Sequence, residues 1–203
     1  MANKDHSLDD GIVRAAYEEF LACGFEKASL HKIAKNAGVT TGAIYTRYKN
    51  KDALFVSLLE DFFAIIQSKF LTTASVYEKA RESGTVEALQ EAIVSEEKIY
   101  MELFLKHYEE CRLFFCCSDG SSVETMIKGM MEKKTEQTVA FFRETCGKEP
   151  PNASAVRLLM GSQFWDFRQI LDARLGKEEM SDCLQTIFAF TNAGWKQFYE
   201  NLK

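Results

Sequence analysis

Residues able to do chemistry are unevenly spread along the chain. Six Lys and Arg residues (Lys27, Lys32, Lys35, Arg47, Lys49 and Lys51) fall between Glu26 and Lys51 against that single acid, a local charge of +5, while the whole protein is −5 and the remainder therefore −10. A basic patch on an acidic protein suits a polyanion docked at one place, whereas its plainer reading is a solvated basic face. A second grouping is His107 and Cys111, one helical turn apart, followed by Cys116 and Cys117. Soft ligands at that spacing suit a metal or a thiol sensor, but the paired CxxC spacing of a zinc site is missing, and buried unreactive cysteine is the alternative. Only three histidines are present (His6, His31, His107), and no nucleophile–base pairing, Gly-rich phosphate loop or carboxylate-rich metal motif accompanies them, which argues against an enzyme. No cofactor is expected.

The basic segment has a definite local grammar. In SLHKIAKNAGVTTGAIYTRYKNK (29–51), Ser29 is an N-cap, Leu30, Ile33, Ala34 and Ala37 share one helical side, and Gly38 stops that helix with a left-handed residue. Thr40 caps a second short helix with Ile44 and Tyr48 inward, leaving Thr41, Ala43, Tyr45, Thr46 and Arg47 outward. Two short helices about a tight turn make a helix-turn-helix, whose second helix can enter a DNA major groove. Asn50 reads as the cap of the next helix and places Lys51 in its first turn, where a cation opposes the macrodipole unless an anion sits in front of it; the expectation is a phosphate clamp.

These residues carry a resemblance. From about Leu8 to Leu59, and especially in IAKNAGVTTGAIYTRYKNKDAL, the chain resembles the DNA-binding domain of TetR/AcrR-type transcriptional regulators. The family pattern falls on Ser29, Ile33-Ala34, Ala37-Gly38-Val39, Gly42, Tyr45, Tyr48 and Lys51, with Tyr48 standing where Phe is usual. The motif is specific over about a quarter of the chain; beyond it the likeness is one of length and helical layout. The resemblance implies a homodimer paired through its last two helices, a palindromic double-stranded DNA operator, and a C-terminal pocket for a small-molecule effector that changes the separation of the recognition helices. It also favours a repressor. A twofold dimer presents its recognition helices to half-sites ~34 Å apart or a multiple of it.

The DNA-binding residues expected from this are Ser29, His31, Lys32, Thr40, Thr41, Gly42, Ala43, Tyr45, Thr46, Arg47, Tyr48, Lys49 and Lys51. Thr41, Gly42, Ala43 and Thr46 are short enough to approach base edges and thymine methyls, yet none is a strong bidentate reader. Sequence preference then leans on His31 and Arg47 or on DNA shape. Phosphate contacts fall to Tyr45 and Lys51, by the family pattern, and to Lys49, by charge alone. The effector pocket has as candidates Phe62, Phe104, His107, Cys111, Phe114, Phe115, Phe164, Trp165 and Arg168. Each aromatic could equally be core, and Arg168 either a buried anion anchor or a snorkelling surface residue.

The elements that must position these residues are helical. Two prolines and eleven glycines in 203 residues leave few breakers, and 46% hydrophobic with 27% charged content is ordinary for a soluble protein with an ample core. No apolar signal segment or membrane-length run is seen, so a cytoplasmic protein with reduced thiols is expected. The fold expected is all-α with about nine helices. Residues 1–50 form a three-helix DNA-binding domain, with helix 1 capped by Ser7 and Asp10 and ended by Gly24. Residues 51–203 form a ligand-binding and dimerisation bundle, linked by helix 4 from about residue 51. Helix 4 starts at Asn50 and carries Leu54, Phe55, Leu58, Leu59, Phe62, Phe63 and Ile66 as one unbroken stripe. A helix from Thr85 to Lys106, one opened by Ser121 with Glu124 and closed by Pro150-Pro151, one capped by Asn152, and one from Lys177 to Leu202 complete the chain. Leu71 to Ser83 is ambiguous.

Overall fold

A computed structural model describes residues 6–146 and 153–202, and every described element is an α-helix. The expected cap at Asn152 and the Pro150-Pro151 stop lie outside the described residues. There are ten helices among those described. α1 (His6–Lys27) already includes Ser7 and is interrupted at Gly24, whose φ of +75° a side-chain-bearing residue rarely adopts. α2 (Leu30–Asn36) and α3 (Thr41–Arg47) follow as short helices, capped by Ser29 and Thr40, whose hydroxyls accept from the Lys32 and Ala43 amides at 3.5 and 3.2 Å. Between them Gly38 sits at φ +68°, the left-handed residue that turns the chain.

The stripe from Asn50 is not one helix. α4 (Lys51–Ser57) ends where the Ser57 hydroxyl donates to the Leu54 carbonyl at 2.8 Å and the Leu58 and Leu59 amides fall back to i−3 carbonyls. Such bonds tighten and end an α-helix. α5 (Glu60–Ser83) then restarts with Glu60 and Asp61 in its first turn, where acids suit the helix dipole, and it runs through the ambiguous 71–83 stretch. This break accounts for the tenth helix. α6 (Val86–Lys106) is capped by the Thr85 hydroxyl and stops at His107; α7 (Tyr108–Cys116), α8 (Ser122–Cys146), α9 (Ala153–Asp172) and α10 (Lys177–Leu202) complete the fold.

The chain divides into two compact units, and the boundary differs from the expected one near residue 50. The first takes in the residues up to Ala64 together with Glu109–Ile127; the second takes in Ile65–Tyr108 and the residues from Lys128 onward. The first unit is built on Ile12, Ala16, Phe20, Ile33, Ile44, Leu54 and Phe55, all at most 3% exposed or fully buried. Phe20, Phe25 and Phe55 meet with ring centroids 4.9–6.0 Å apart, within the range of favourable aromatic pairs. Phe62, Phe114 and Phe115 form a second aromatic group in this unit.

In the second unit, Leu89, Phe141, Phe142 and Tyr199 form a buried cluster with Tyr77, Ile93, Trp195 and Phe198 packed against it. Phe167 links Tyr100, Phe104 and Phe188 at 5.1–6.0 Å. A polar group crosses this apolar interior: Glu96, 8% exposed, accepts from the Tyr77 hydroxyl at 2.7 Å and pairs with Lys134, which also donates to Tyr100. Burial and the neighbouring carboxylate push the Tyr77 phenol well above its ordinary range. No helix among the described residues is long and apolar enough to cross a membrane.

Candidate nucleic-acid interface

The short helices of the first unit hold the basic segment in a defined order. α3 buries Ile44 against the unit's core, so the opposite side carries Gly42, Tyr45 and Thr46 into solvent, with Thr41 and Ala43 half-buried beside them. Tyr45 is 57% exposed, unusual for so large a ring. Thr46 donates its hydroxyl back to the Gly42 carbonyl at 2.9 Å, which fixes its rotamer. His31 and Lys32 are exposed on α2, Ser29 and Thr40 are occupied as caps, Lys49 is exposed after α3, and Tyr48, half-buried, closes α3 with its amide on the Ile44 carbonyl.

Two of the expected DNA contacts are engaged within the protein. Arg47 Nε pairs with Asp9 of α1 while its Nη1 reaches the Ala43 carbonyl at 3.2 Å, so the guanidinium bridges α1 to α3. Lys51 differs from the outward clamp expected of it. Its ammonium donates to the carbonyls of Phe25, Glu26 and Ala28 at 2.7, 3.1 and 3.2 Å and lies 4.5 Å from the centroid of the Phe25 ring. The reason is positional: α1 ends at Lys27, and the last carbonyls of a helix lack intrahelical partners.

Sequence reasoning misses Glu19, which is only 4% exposed. It lies on the α1 face of Ile12 and Ala16, and an acid in an apolar stripe is the signal that could have found it. Its carboxylate takes Lys32 Nζ at 2.6 Å and the Ser29 amide at 3.4 Å, thereby supplying from α1 the negative charge that the first turn of α2 lacks. Burial alone would raise this carboxyl's pKa, but the hydrogen bonds from Lys32 and Ser29 hold it below the usual carboxylate range. Cys23 beside it is pushed up, by burial first and by the Glu19 charge second, which keeps it a thiol.

The effector candidates fall in both units. Phe62, Cys111, Phe114 and Phe115 belong to the first and are buried; Phe104, His107, Phe164, Trp165 and Arg168 belong to the second, where Phe104 is fully buried, His107 ends α6, Phe164 and Arg168 are half-buried and Trp165 is 58% exposed. Burial, and then the Glu110 charge, push the Cys111 thiol far up, away from reactivity. Among the described residues no three His, Cys, Asp or Glu side chains gather as metal ligands. No disulfide joins the cysteines at 23, 111, 116, 117 and 183.

This geometry has counterparts. Residues 12–58 match the model of the bacterial regulatory proteins of the tetR family. A fatty acid metabolism regulator protein of Bacillus subtilis is 40% identical over 50 residues, 25% of this chain and 26% of that protein. An uncharacterized HTH-type transcriptional regulator of the same organism is 34% identical over 56 residues, 28% of this chain and 29% of that protein, so the match spans under a third of either curated relative. The fold is similar over nearly its whole length to a TetR-like transcriptional regulator from Rhodococcus sp. RHA1, with a TM-score of 0.53 at 16% identity, covering 92% of this chain and 96% of that one. It is likewise similar to the fatty acid degradation regulator FadR from Bacillus halodurans, with a TM-score of 0.53 at 16% identity, covering 95% and 98%. It is thus the N-terminal helix-turn-helix segment, residues 12–58, that is similar to the DNA-binding part of tetR-family bacterial regulatory proteins.

Proposed function

We propose that the chain is a dimeric, sequence-specific DNA-binding transcriptional regulator without catalytic chemistry, a repressor whose operator binding is altered by a small molecule held in its C-terminal helices. The observation that carries this reading is the bare outer side of α3 within a segment of charge +5. Gly42, Thr46 and the half-buried Thr41 and Ala43 offer no bulk, which lets the helix approach base edges closely, and Tyr45 and Lys49 flank them in solvent where phosphates would lie. Arg47, held by Asp9, acts in this reading by fixing the angle of α3.

Dimerisation is supported by apolar side chains left in solvent on the last two helices. Leu158 is 75% exposed and Trp165, seven residues on and so on the same face, 58%; Phe190 of α10 is 82% exposed. Large apolar residues in such exposure mark an interaction face, and a twofold axis through it would present two α3 helices to a palindrome. The likeness to the fatty acid metabolism regulator is confined to the DNA-binding segment and assigns no effector. Of the effector-pocket candidates, Phe104, His107, Phe164 and Arg168 share the second unit and keep that role as part of this proposal.

Selection of bound sequences from a random duplex pool at a stated salt concentration tests the reading. Enrichment of one palindrome is expected. Absence of any enriched sequence, with weak binding at all salts, would leave a helical interaction protein instead.

A further inference from the structure

Three consecutive residues at the start of α4 each fasten a helix end. The Asn50 side chain accepts from the Ala53 amide at 2.7 Å and caps α4 itself. Lys51 closes the end of α1, and an ammonium has three N–H groups, all of which are directed at the carbonyls of Phe25, Glu26 and Ala28. Asp52 closes the start of α8: Oδ1 accepts the Ser122 amide at 2.8 Å and Oδ2 its hydroxyl at 2.7 Å. The next two amides of α8, Val123 and Glu124, donate to the Ser121 hydroxyl, and the Glu124 carboxylate accepts from Gly120, so the opening of α8 is satisfied and Asp52 supplies the negative charge favoured there. The Phe25 amide on the Cys117 carbonyl at 2.8 Å joins the end of α1 to the same connection.

We infer that Lys51 and Asp52 are positioning residues for operator binding, forming a junction that locks α1 and α8 to α4, and that Lys51 makes no direct phosphate contact. The inference rests on the DNA-binding reading above for its functional consequence. Its structural ground is the count of donors: a lysine whose three N–H groups are held at 2.7–3.2 Å by main-chain oxygens has none left to offer a phosphate. Charge at residue 51 is then incidental to DNA, whereas the shape of its hydrogen bonding is essential.

Two measurements on the full chain test this: amide hydrogen exchange at residues 25–29 and 122–124, and duplex affinity across a salt series with the DNA enriched from the random pool, or a random-sequence duplex where none is enriched. Lys51→Arg keeps the charge but replaces three divergent donors by a planar fork. Faster exchange at 25–29 and a severalfold loss of affinity at unchanged salt slope are expected; wild-type exchange and affinity would overturn the inference. Lys51→Met should likewise leave the slope unchanged, whereas Lys49→Met should lower it by about one. A drop of about one for Lys51→Met would make residue 51 a phosphate contact after all, and if that variant does not fold, Lys51→Arg decides. Asp52→Ala removes a negative charge beside a polyanion site, so simple electrostatics calls for tighter binding. The junction calls for weaker binding, faster exchange at 122–124 and no further loss when Ser122→Ala is added; tighter binding overturns it. Should the wild-type protein bind no duplex, the regulator reading falls, while the exchange arms still decide the junction.

Discussion

Glu19 and Lys32 lie 2.6 Å apart, carboxylate to ammonium, and couple the middle of α1 to the first turn of α2. Lys32 is 58% exposed and Glu19 buried, so the pair is a surface cation held by an interior anion. The Ser29 amide on the same carboxylate makes Glu19 part of the cap of α2.

The pH dependence follows from that carboxyl. Its folded pKa is held below its ordinary value of 4.5, burial being outweighed by Lys32 and Ser29. A carboxylate of this kind contributes stability that is fully present above its unfolded pKa and is lost as pH falls through the folded one. Glu19→Gln should therefore destabilise the first unit by about 1–3 kcal/mol at neutral pH, the cost of a weakened buried hydrogen-bonded charge. It should also flatten the fall in stability with acidification below pH 4.5. Thermal unfolding at pH 7 and pH 4 of the variant and the wild type would show it; parallel pH profiles would count against Glu19.

Arg47 and Asp9, both roughly three-quarters buried, form a pair between α1 and α3. If this pair sets the angle of α3, Arg47→Met and Asp9→Asn should each weaken specific duplex binding, and the double variant should be little worse than either. A coupling of about 0.5–1.5 kcal/mol is expected in a double-mutant cycle on stability. Strict additivity, with only Arg47→Met affecting DNA, would return Arg47 to the role of a direct contact.

The turn between α2 and α3 isolates a purely backbone effect. Gly38 has φ +68°, and a Cβ built there meets nothing within 4 Å. Gly38→Ala therefore costs only the left-handed backbone penalty, about 1–2 kcal/mol, with no steric addition. Gly38→Asn should cost less, because asparagine tolerates this region better. Chemical unfolding of the two variants orders them; an alanine variant as stable as wild type would mean that the turn can rearrange.

Local signals explain what was legible in the sequence. Ser29, Thr40, Asn50 and Thr85 each cap a helix whose amide lies three residues away, and Gly24, Gly38 and Gly84 turn the chain where they stand; caps and breakers act within one turn, so the helices they bound can be read from neighbours alone. The apolar stripe from Leu54 to Ile66 hides the break at Ser57, because periodicity reports which side is buried and says nothing about whether the backbone is continuous there. Partners distant in sequence were not legible. Lys51 meets carbonyls 23–26 positions away and Asp52 meets Ser122, so a charge read locally as a DNA clamp turns inward once the fold brings α1 beside it. The effector candidates illustrate the same limit: aromatic spacing marks Phe62 and Phe104 as buried, but their assignment to separate units depends on the whole chain.

The last two helices carry the prediction for assembly. Phe190 is the most exposed of the large apolar side chains among the described residues, and with Leu158 and Trp165 it belongs to the pair of helices proposed to meet a second copy. Phe190→Glu places a charge where the dimer would have to desolvate it without a partner, a cost of several kcal/mol on burial in an apolar interface. The dimer should dissociate to monomer at micromolar concentration in sedimentation, and duplex affinity should fall because one half-site contact is lost. Leu71→Glu on α5 supplies the control: Leu71 is 62% exposed but lies on neither of the paired helices, so its charge should leave sedimentation and DNA affinity unchanged. Dissociation by Leu71→Glu and not by Phe190→Glu would move the interface to α5.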